Sequence, residues 1–386
     1  MTFRLSSAEA DRLIAFYREG IRTRSYSDEE GPYARLIETT MKMLGFDEVF
    51  IDKTGNVAGR VGNGVRVIHF DGHMDTVKAD NPDEWKADPF AADFVAGEIV
   101  GRGSVDMKGG LSAAIFAAAS AKKAGLLVGK TVWITGSVCE EYCDGVCLTH
   151  FYQNTGLRPD VCVICEPSGN QITLGHTGKV QVRIKTHGIS AHGSAPEKGL
   201  NAVYEMAEII TRVEKLNAEL HAAGGGTIVL SDISSVSASL NAVPSACSIY
   251  LDRRLRVGET VAQMKTELDR LVAGKRAHWE PGTLVHTSWT GDTLVYDPTH
   301  EPWKIAEDDP LTKTACAAYR ATFGDAPLNF NFWDFGTNAV VPVSMGIKTI
   351  GFGPGAYKLA HMTDERCRPE DVAAACEFYV ELIRRL

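Results

Sequence analysis

Short apolar runs alternate with helical patterns over the first part of the chain. The runs VRVIHFDGH (65–73), TVWITGSV (131–138) and DVCVICEP (160–167) are rich in valine and isoleucine, as is typical of strands that are buried on both faces of a sheet. Between them, segments such as PYARLIETTMKML and GGLSAAIFAAASAKKAG have the apolar spacing of helices. This alternation predicts an α/β domain with a mainly parallel sheet.

The pattern changes at about residue 179. KVQVRIKTHG alternates strictly between apolar and polar positions, which predicts an antiparallel strand with one solvated face. A long amphipathic helix, two strands and a second helix follow, and the first pattern returns from residue 296. The sequence therefore predicts an α/β domain in two parts, residues 1–178 and 296–386. An α+β, ferredoxin-like domain is inserted at residues 179–295.

Composition narrows the classes of protein to consider. The 386 residues are 44% hydrophobic, and their net charge of −9 argues against nucleic acid or an anionic membrane as a partner. The opening residues MTFRLSSAEADRLIAFYREG predict an amphipathic helix rather than a signal peptide. No run of about 18 apolar residues is present. We expect a cytoplasmic protein that binds neither nucleic acid nor a membrane.

Carboxylates and imidazoles follow the predicted strands, where sites form in open α/β sheets. They are His73, Asp75, Asp106, Glu140, Glu141, Glu166 and His361. Each one alone has an ordinary explanation as a helix cap, a turn residue or a solvated charge. Crowded together, however, uncompensated carboxylates would repel one another. Histidine and carboxylate donors predict a site for zinc or a similar divalent ion.

The adjacent pair Glu140 and Glu141 ends the strand TVWITGSV. Consecutive residues at a strand end point in different directions, so one glutamate can bind a metal while its neighbour faces the cavity. The free carboxylate can then act as a general base toward water whose pKa the metal lowers to about 7. The pair therefore predicts one ligand and one base.

Several motifs together resemble the M20 metallopeptidase family of acetylornithine deacetylase, succinyl-diaminopimelate desuccinylase, aminoacylase-1 and carboxypeptidase G. They are GHMDTV, GRGSVDMKGG, the EE pair, CEP, ISAHGSAPEKGLNA, NAVPSACSIYLDRRL and GFGPG with AHMTDE, and they extend over nearly the whole chain. EEYCDGVC, VYDPTHEPWKIAEDD and FWDFGTNAV resemble the YgeY-like hydrolase branch of that family.

The resemblance implies a dizinc centre, in which Co²⁺ or Mn²⁺ can substitute. His73 and Glu166 would bind one ion, Glu141 and His361 the other, and Asp106 would bridge the two. Asp75 would orient His73, and Glu140 would be the base.

The inserted domain resembles the family's lid and dimerisation domain. His192 would reach across a homodimer to polarise the scissile carbonyl, although without the resemblance a histidine at this position is more typical of a surface loop. Asn241 and Arg254 would contact polar groups of the substrate. Where many relatives carry a GGTDA-like segment, this chain has WDFGTNAVV, so Thr337 and Asn338 are added as substrate-binding candidates.

The resemblance implies a zinc-dependent amidohydrolase that cleaves an N-acyl amino acid. A dipeptidase or carboxypeptidase of the same family is the alternative expectation. A metal-binding regulator without activity is a third, which the intact EE pair disfavours because such a protein needs no general base.

Overall fold

The computed structural model describes residues 2–80 and 82–386. The helices are α1 Ser7–Arg22, α2 Gly31–Met43, α3 Lys108–Lys123, α4 Val146–Thr155, α5 Ala202–Ala222, α6 Val261–Val272, α7 Pro310–Phe323, α8 Val340–Ser344 and α9 Pro369–Arg385. The first strands are β1 Glu48–Ile51, β2 Val57–Gly62, β3 Arg66–His73, β4 Asp93–Val95, β5 Glu98–Val100, β6 Lys130–Ser137, β7 Val161–Ile164, β8 Thr173–His176, β9 Gly178–His187 and β10 Thr227–Val236. The remaining strands are β11 Ala246–Leu255, β12 Ala277–Pro281, β13 Leu284–Thr287, β14 Thr293–Tyr296, β15 Thr299–His300, β16 Trp303–Lys304, β17 Asn331–Trp333, β18 Lys348–Gly351 and β19 Arg366–Cys367.

The larger sheet has the order β1-β2-β6-β3-β7-β18-β8-β16, with β17 beside β8. Its centre, from β6 through β3 and β7 to β18, is parallel, and antiparallel strands flank it. The three predicted apolar runs form β3, β6 and β7 at this centre. The mainly parallel α/β sheet predicted from the sequence is therefore confirmed.

A second, antiparallel sheet has the order β10-β11-β9-β12. With α5 between β9 and β10 and α6 between β11 and β12, it has the β-α-β-β-α-β connectivity of a ferredoxin-like fold. The chain leaves the large sheet after His176 and returns at Trp303, since β15 still pairs with β9. The second sheet thus reaches a few residues beyond the predicted boundary at 295.

Helix α3 fits closely against the loops that carry the candidate site. It is rich in alanine and is buried along most of its length. A Cβ atom at Gly110 would lie 1.9 Å from the carbonyl oxygen of Cys165, so only glycine permits this approach. The contact fixes the start of α3, next to Asp106, against the end of β7, next to Glu166.

A hairpin formed by β13 and β14 packs on the catalytic part of the chain through Trp289. The indole Nε1 donates to the carbonyl oxygen of Gly55 at 3.2 Å, and the guanidinium of Arg35 lies 5.3 Å from the ring centroid. A Cβ atom at Gly55 or Gly31 would come within 2.3 or 2.9 Å of the indole. The two glycines therefore form a socket for Trp289.

Among the described helices, none combines the length and apolar character required to cross a membrane.

Candidate metal centre and active site

Two groups of metal-binding side chains share Asp106. Nε2 of His73 lies 2.9 Å from Oδ1 of Asp106 and 3.5 Å from Oε1 of Glu166. On the other side, Nε2 of His361 lies 3.3 Å from Oδ2 of Asp106 and 3.0 Å from Oε2 of Glu141. Within each group the donor atoms lie within 4.8 Å of one another. The five predicted ligands thus form two clusters that meet at one aspartate.

These side chains come together because their strands end at the same edge of the sheet. His73 is the last residue of β3, Glu141 follows β6, and Glu166 follows β7. Asp106 precedes α3, and His361 lies in the loop after β18. The site is therefore a direct consequence of the parallel central strands.

The charge of the clusters fits a pair of divalent cations. Burial raises the pKa of Glu166 well above its usual range, and the nearby Asp106 raises it further. Burial also raises the pKa of Glu141. Hydrogen bonds with Asp106 and Glu141 raise the pKa of His361 to about 10. Closely spaced carboxylates that are shielded from water are stabilised by a bound proton or a bound cation. A divalent metal ion would supply the positive charge without protonation of the ligands.

Asp75 connects one cluster to the EE pair. Its carbonyl oxygen lies 2.8 Å from Nδ1 of His73, which leaves Nε2 facing the cluster. Its carboxylate accepts the backbone N–H groups of Glu140 at 3.0 Å and Glu141 at 3.2 Å, and the hydroxyl of Ser27 at 2.7 Å. Asp75 therefore orients a candidate ligand and fixes the backbone of both glutamates.

A buried ion pair that sequence reasoning missed holds the Asp106 loop. The carboxylate of Glu365 accepts from the backbone N–H groups of Gly103, Val105 and Asp106 at 3.1, 2.7 and 2.9 Å. It also pairs with Nη1 of Arg102 at 2.7 Å, with both side chains buried. The available signal was their place in GRGSVD and MTDER, beside two predicted ligands.

One cavity of about 330 Å³ contains the centre of this site. Asp106, Glu141, Glu166 and His361 line it together with Glu140 and Arg254. Burial raises the pKa of Glu140 well above its usual range, and His73 lowers it in part. Arg254 forms an ion pair with Asp252 through Nε at 2.7 Å and Nη2 at 3.0 Å. Of the predicted substrate-binding residues, the structure brings Arg254 to this cavity.

His192 and Asn241 lie together, but outside the cavity of their own chain. His192 is exposed, its Nδ1 lies 2.7 Å from the hydroxyl of Ser194, and its backbone pairs with Ala242. The carbonyl oxygen of Asn241 accepts the N–H of Gly193 at 2.6 Å. Among the described residues, those that line the cavity do not include either one.

Among the described residues, those that line the cavity do not include the other two substrate-binding candidates, Thr337 and Asn338. Both are buried, at 0% and 4% exposure. The amide nitrogen of Asn338 donates to Asp71 at 2.9 Å and Ser137 at 2.8 Å, while its oxygen accepts the N–H of Gly145 at 2.7 Å. Asn338 thus stabilises the loop that carries Glu140 and Glu141, through contacts with Ser137 before it and Gly145 after it.

The neighbouring residues Asp334, Phe335 and Gly336 line the cavity instead. After Gly336 the chain enters the core, so that Thr337, Asn338 and Ala339 are buried.

Two clusters of imidazole and carboxylate donors that could hold metal ions, beside a buried glutamate at the end of a parallel sheet, are typical of metal-dependent hydrolases. Residues 69–385 match the family described as Peptidase family M20/M25/M40. The chain belongs to this family, whose members act on amide or peptide bonds.

Similar proteins agree with this assignment over almost the whole chain. The chain is 35% identical to the protein YgeY of Escherichia coli (strain K12), covering 96% of this chain and 93% of that protein. It is 23% identical to a probable succinyl-diaminopimelate desuccinylase of Staphylococcus epidermidis, covering 98% of both. The M20 family metallo-carboxypeptidase Sso-CP2 of Sulfolobus solfataricus has the same fold, with a TM-score of 0.76 at 19% identity over 97% of this chain and 99% of that one.

Proposed function

We propose that this protein is a cytoplasmic, homodimeric amidohydrolase that cleaves the amide bond of an N-acyl amino acid. The observation that supports the reaction best is the arrangement of the EE pair. Glu141 faces His361 at 3.0 Å, whereas Glu140 lines the same cavity outside both clusters of donor atoms. Glu140 is therefore available to take a proton from water and to return it to the leaving nitrogen.

Two zinc ions would be held by the two clusters described above, with Asp106 common to both. When bound, zinc would increase the acidity of water and polarise the scissile carbonyl. The chain's own contribution is positioning. Asp75 fixes the backbone of Glu140 and Glu141, so that a base and a ligand on adjacent residues keep different directions.

The position of Arg254 supports the proposal that the substrate is an amino-acid derivative. Arg254 lines the cavity, and a guanidinium can bind the carboxylate of an amino acid. A dipeptide or a C-terminal peptide bond presents the same carboxylate, so a dipeptidase or carboxypeptidase is the nearest alternative. A binding protein without activity would have no use for the position of Glu140.

Homodimer formation through the inserted domain is supported by its outer strand β10. Val229, Ile233 and Val236 on this strand are exposed by 53%, 52% and 63%, and an outer strand with apolar side chains favours pairing with another chain. His192 lies on the same domain, away from its own cavity. We infer that it serves the cavity of a second subunit, where it would polarise the scissile carbonyl.

The test of the base uses Glu140→Gln, with Glu141→Gln as the matched control. Glu140→Gln is expected to keep the metal content of the wild type, measured by atomic spectroscopy, and to lose about 10²–10⁴-fold in turnover. Glu141→Gln is expected to lose metal. Substrates come from a screen of N-acetyl, N-formyl and N-succinyl amino acids and dipeptides. Loss of metal from Glu140→Gln, with metal retained in Glu141→Gln, would reverse the two assignments.

A further inference from the structure

The loop that carries the EE pair is held through its backbone by buried side chains. Asp75, as described above, accepts the N–H groups of Glu140 and Glu141. The preceding residue, Cys139, donates its N–H group to Oε1 of Glu30 at 2.9 Å, and its thiol sulfur lies 3.5 Å from the same oxygen. Three consecutive backbone N–H groups are thus bound by two buried carboxyl groups.

Cys139 has a backbone conformation that requires such support. Its φ angle of 55° lies in the left-handed region, which is uncommon for residues other than glycine and persists where the surrounding structure fixes it. Cys139 directly precedes Glu140, so its dihedral angles set the direction in which the side chain of Glu140 leaves the end of β6. A contact that fixes the backbone of Cys139 therefore also fixes the candidate base.

Glu30 is fully buried, at 0% exposure, directly before α2. Its Oε1 is bound by Cys139, whereas Oε2 has no hydrogen-bond partner among the described residues. Burial raises the pKa of Glu30 to about 8, and the nearby Asp75 contributes to this rise. An apolar side chain would fill the same space without the cost of desolvation. The position of Glu30 is therefore best explained by the acceptor that it offers to Cys139.

The segment that leads into α2, residues 25–30, lies across two loops of the site. The hydroxyl of Ser25 donates to the carbonyl oxygen of Met74 at 2.7 Å, and the hydroxyl of Ser27 donates to the carboxylate of Asp75 at 2.7 Å. These contacts fix the segment on the loop after β3. Its last residue therefore joins that loop to the loop after β6.

We propose that Glu30 is a positioning residue, which fixes the direction of Glu140 toward the cavity by holding the backbone of Cys139. This inference rests on the proposed function, in which Glu140 is the base. Among the described residues, those that line the cavity do not include Glu30, so it acts through Cys139 and not on the substrate. Displacement of a catalytic group by about 1 Å can cost roughly 10²-fold in rate.

The kinetic experiment compares three metal-loaded variants on the substrates of the screen described above. Glu30→Leu removes the acceptor. Glu30→Gln keeps a carbonyl oxygen and resembles the protonated acid, which predominates below pH 8. Glu29→Leu is the matched control, because Glu29 is the exposed neighbour and pairs with Arg24 at 3.0 Å.

Glu30→Leu is expected to lower kcat by roughly 10- to 100-fold, with the KM and the metal content of the wild type. Glu30→Gln and Glu29→Leu should stay within a few-fold of the wild-type kcat. An unchanged kcat in Glu30→Leu, or an equal loss in Glu30→Gln, would overturn the proposal. If Glu30→Leu does not fold, Glu30→Asp replaces it with the same expectations, since its shorter side chain withdraws the acceptor.

Hydrogen–deuterium exchange tests the positioning without a substrate. In Glu30→Leu the peptide that contains Cys139 should exchange roughly 2- to 10-fold faster, as the loss of one hydrogen bond predicts, while α3 exchanges as in the wild type. Glu30→Gln should restore slow exchange. Unchanged exchange of the Cys139 peptide, or equal acceleration in α3, would overturn the proposal. If the wild type hydrolyses none of the compounds, the proposed function fails for these substrates, and exchange alone decides the role of Glu30.

Discussion

Replacing Glu365 by glutamine should weaken both folding and metal binding. The change keeps the size of the side chain but removes its charge from the buried pair with Arg102. A glutamine retains one accepting oxygen, so it can satisfy either Val105 and Asp106 or Gly103, but not all three backbone N–H groups. The loop that carries Asp106 therefore loses part of its support.

The expected magnitude follows from these contacts. Removing one partner of a buried ion pair costs about 3–5 kcal/mol, because the other charge stays buried. For Glu365→Gln the loss of stability should lie at the lower end of this range. Burial raises the pKa of Glu365, because the ionised carboxylate loses its hydration in the folded state, and the variant is free of that cost. Displacement of Asp106 should also weaken metal binding by about 10- to 100-fold, as is typical for residues that orient metal ligands.

The assay combines urea unfolding of the metal-free protein with calorimetric titration of zinc. The inserted domain provides a matched control in Glu267→Gln, because Glu267 pairs with the buried Arg253 at 3.1 Å. That variant should lose stability and bind zinc as the wild type does. If Glu365→Gln also loses stability and binds zinc with unchanged affinity, its role is structural only and the reasoning is refuted.

Three further predictions concern the partner subunit, the arginine pair and pH. Co-expressed His192→Ala and Glu140→Ala chains should recover activity in about a quarter of all sites. Random association gives about half of all dimers one chain of each kind, and each such dimer has one complete site. Verified mixed dimers without activity would place His192 in its own site or in none. Arg254→Lys should lower kcat/KM with little effect on the melting temperature. Arg253→Lys should instead lower the melting temperature, since Arg253 is 1% exposed and forms ion pairs with acidic residues of its own domain. Similar kinetics for both variants would contradict the contact between Arg254 and a substrate carboxylate. In the metal-free protein the pKa of His361 is raised to about 10, so its contribution to stability is present below pH 6.5 and is lost as the pH rises through 10. Zinc binding at pH 8 should then release a proton, and a calorimetric enthalpy that does not vary with the ionisation enthalpy of the buffer would contradict this.

The candidate ligands could be predicted because each follows from a local pattern. A short apolar run predicts a buried strand, and the polar residue after it must then lie at the carboxyl edge of the sheet. His73, Glu141 and Glu166 all follow this rule, and the structure groups them with Asp106 and His361 as expected. The assignment of each residue to a metal or to catalysis stays a prediction.

Contacts between distant parts of the chain could not be predicted in this way. Arg102 and Glu365 are 263 residues apart, and no periodicity connects them. Asn338 is a substrate-binding candidate because it stands where relatives carry a GGTDA-like segment, but the backbone places its side chain in the core, where it contacts Asp71 and Ser137. The direction of a side chain in a loop depends on tertiary packing, which the local sequence does not specify.

The socket for Trp289 has a consequence for constructing chimaeras with related proteins. The hairpin that carries this tryptophan belongs to the segment predicted as inserted, but its receptor glycines, Gly31 and Gly55, lie in the first part of the catalytic domain. An exchange of residues 179–295 alone would thus remove Trp289 from the two glycines, Gly31 and Gly55, against which it packs. A recipient with larger side chains at the two glycine positions could not seat the indole, so a transplant should include both glycines.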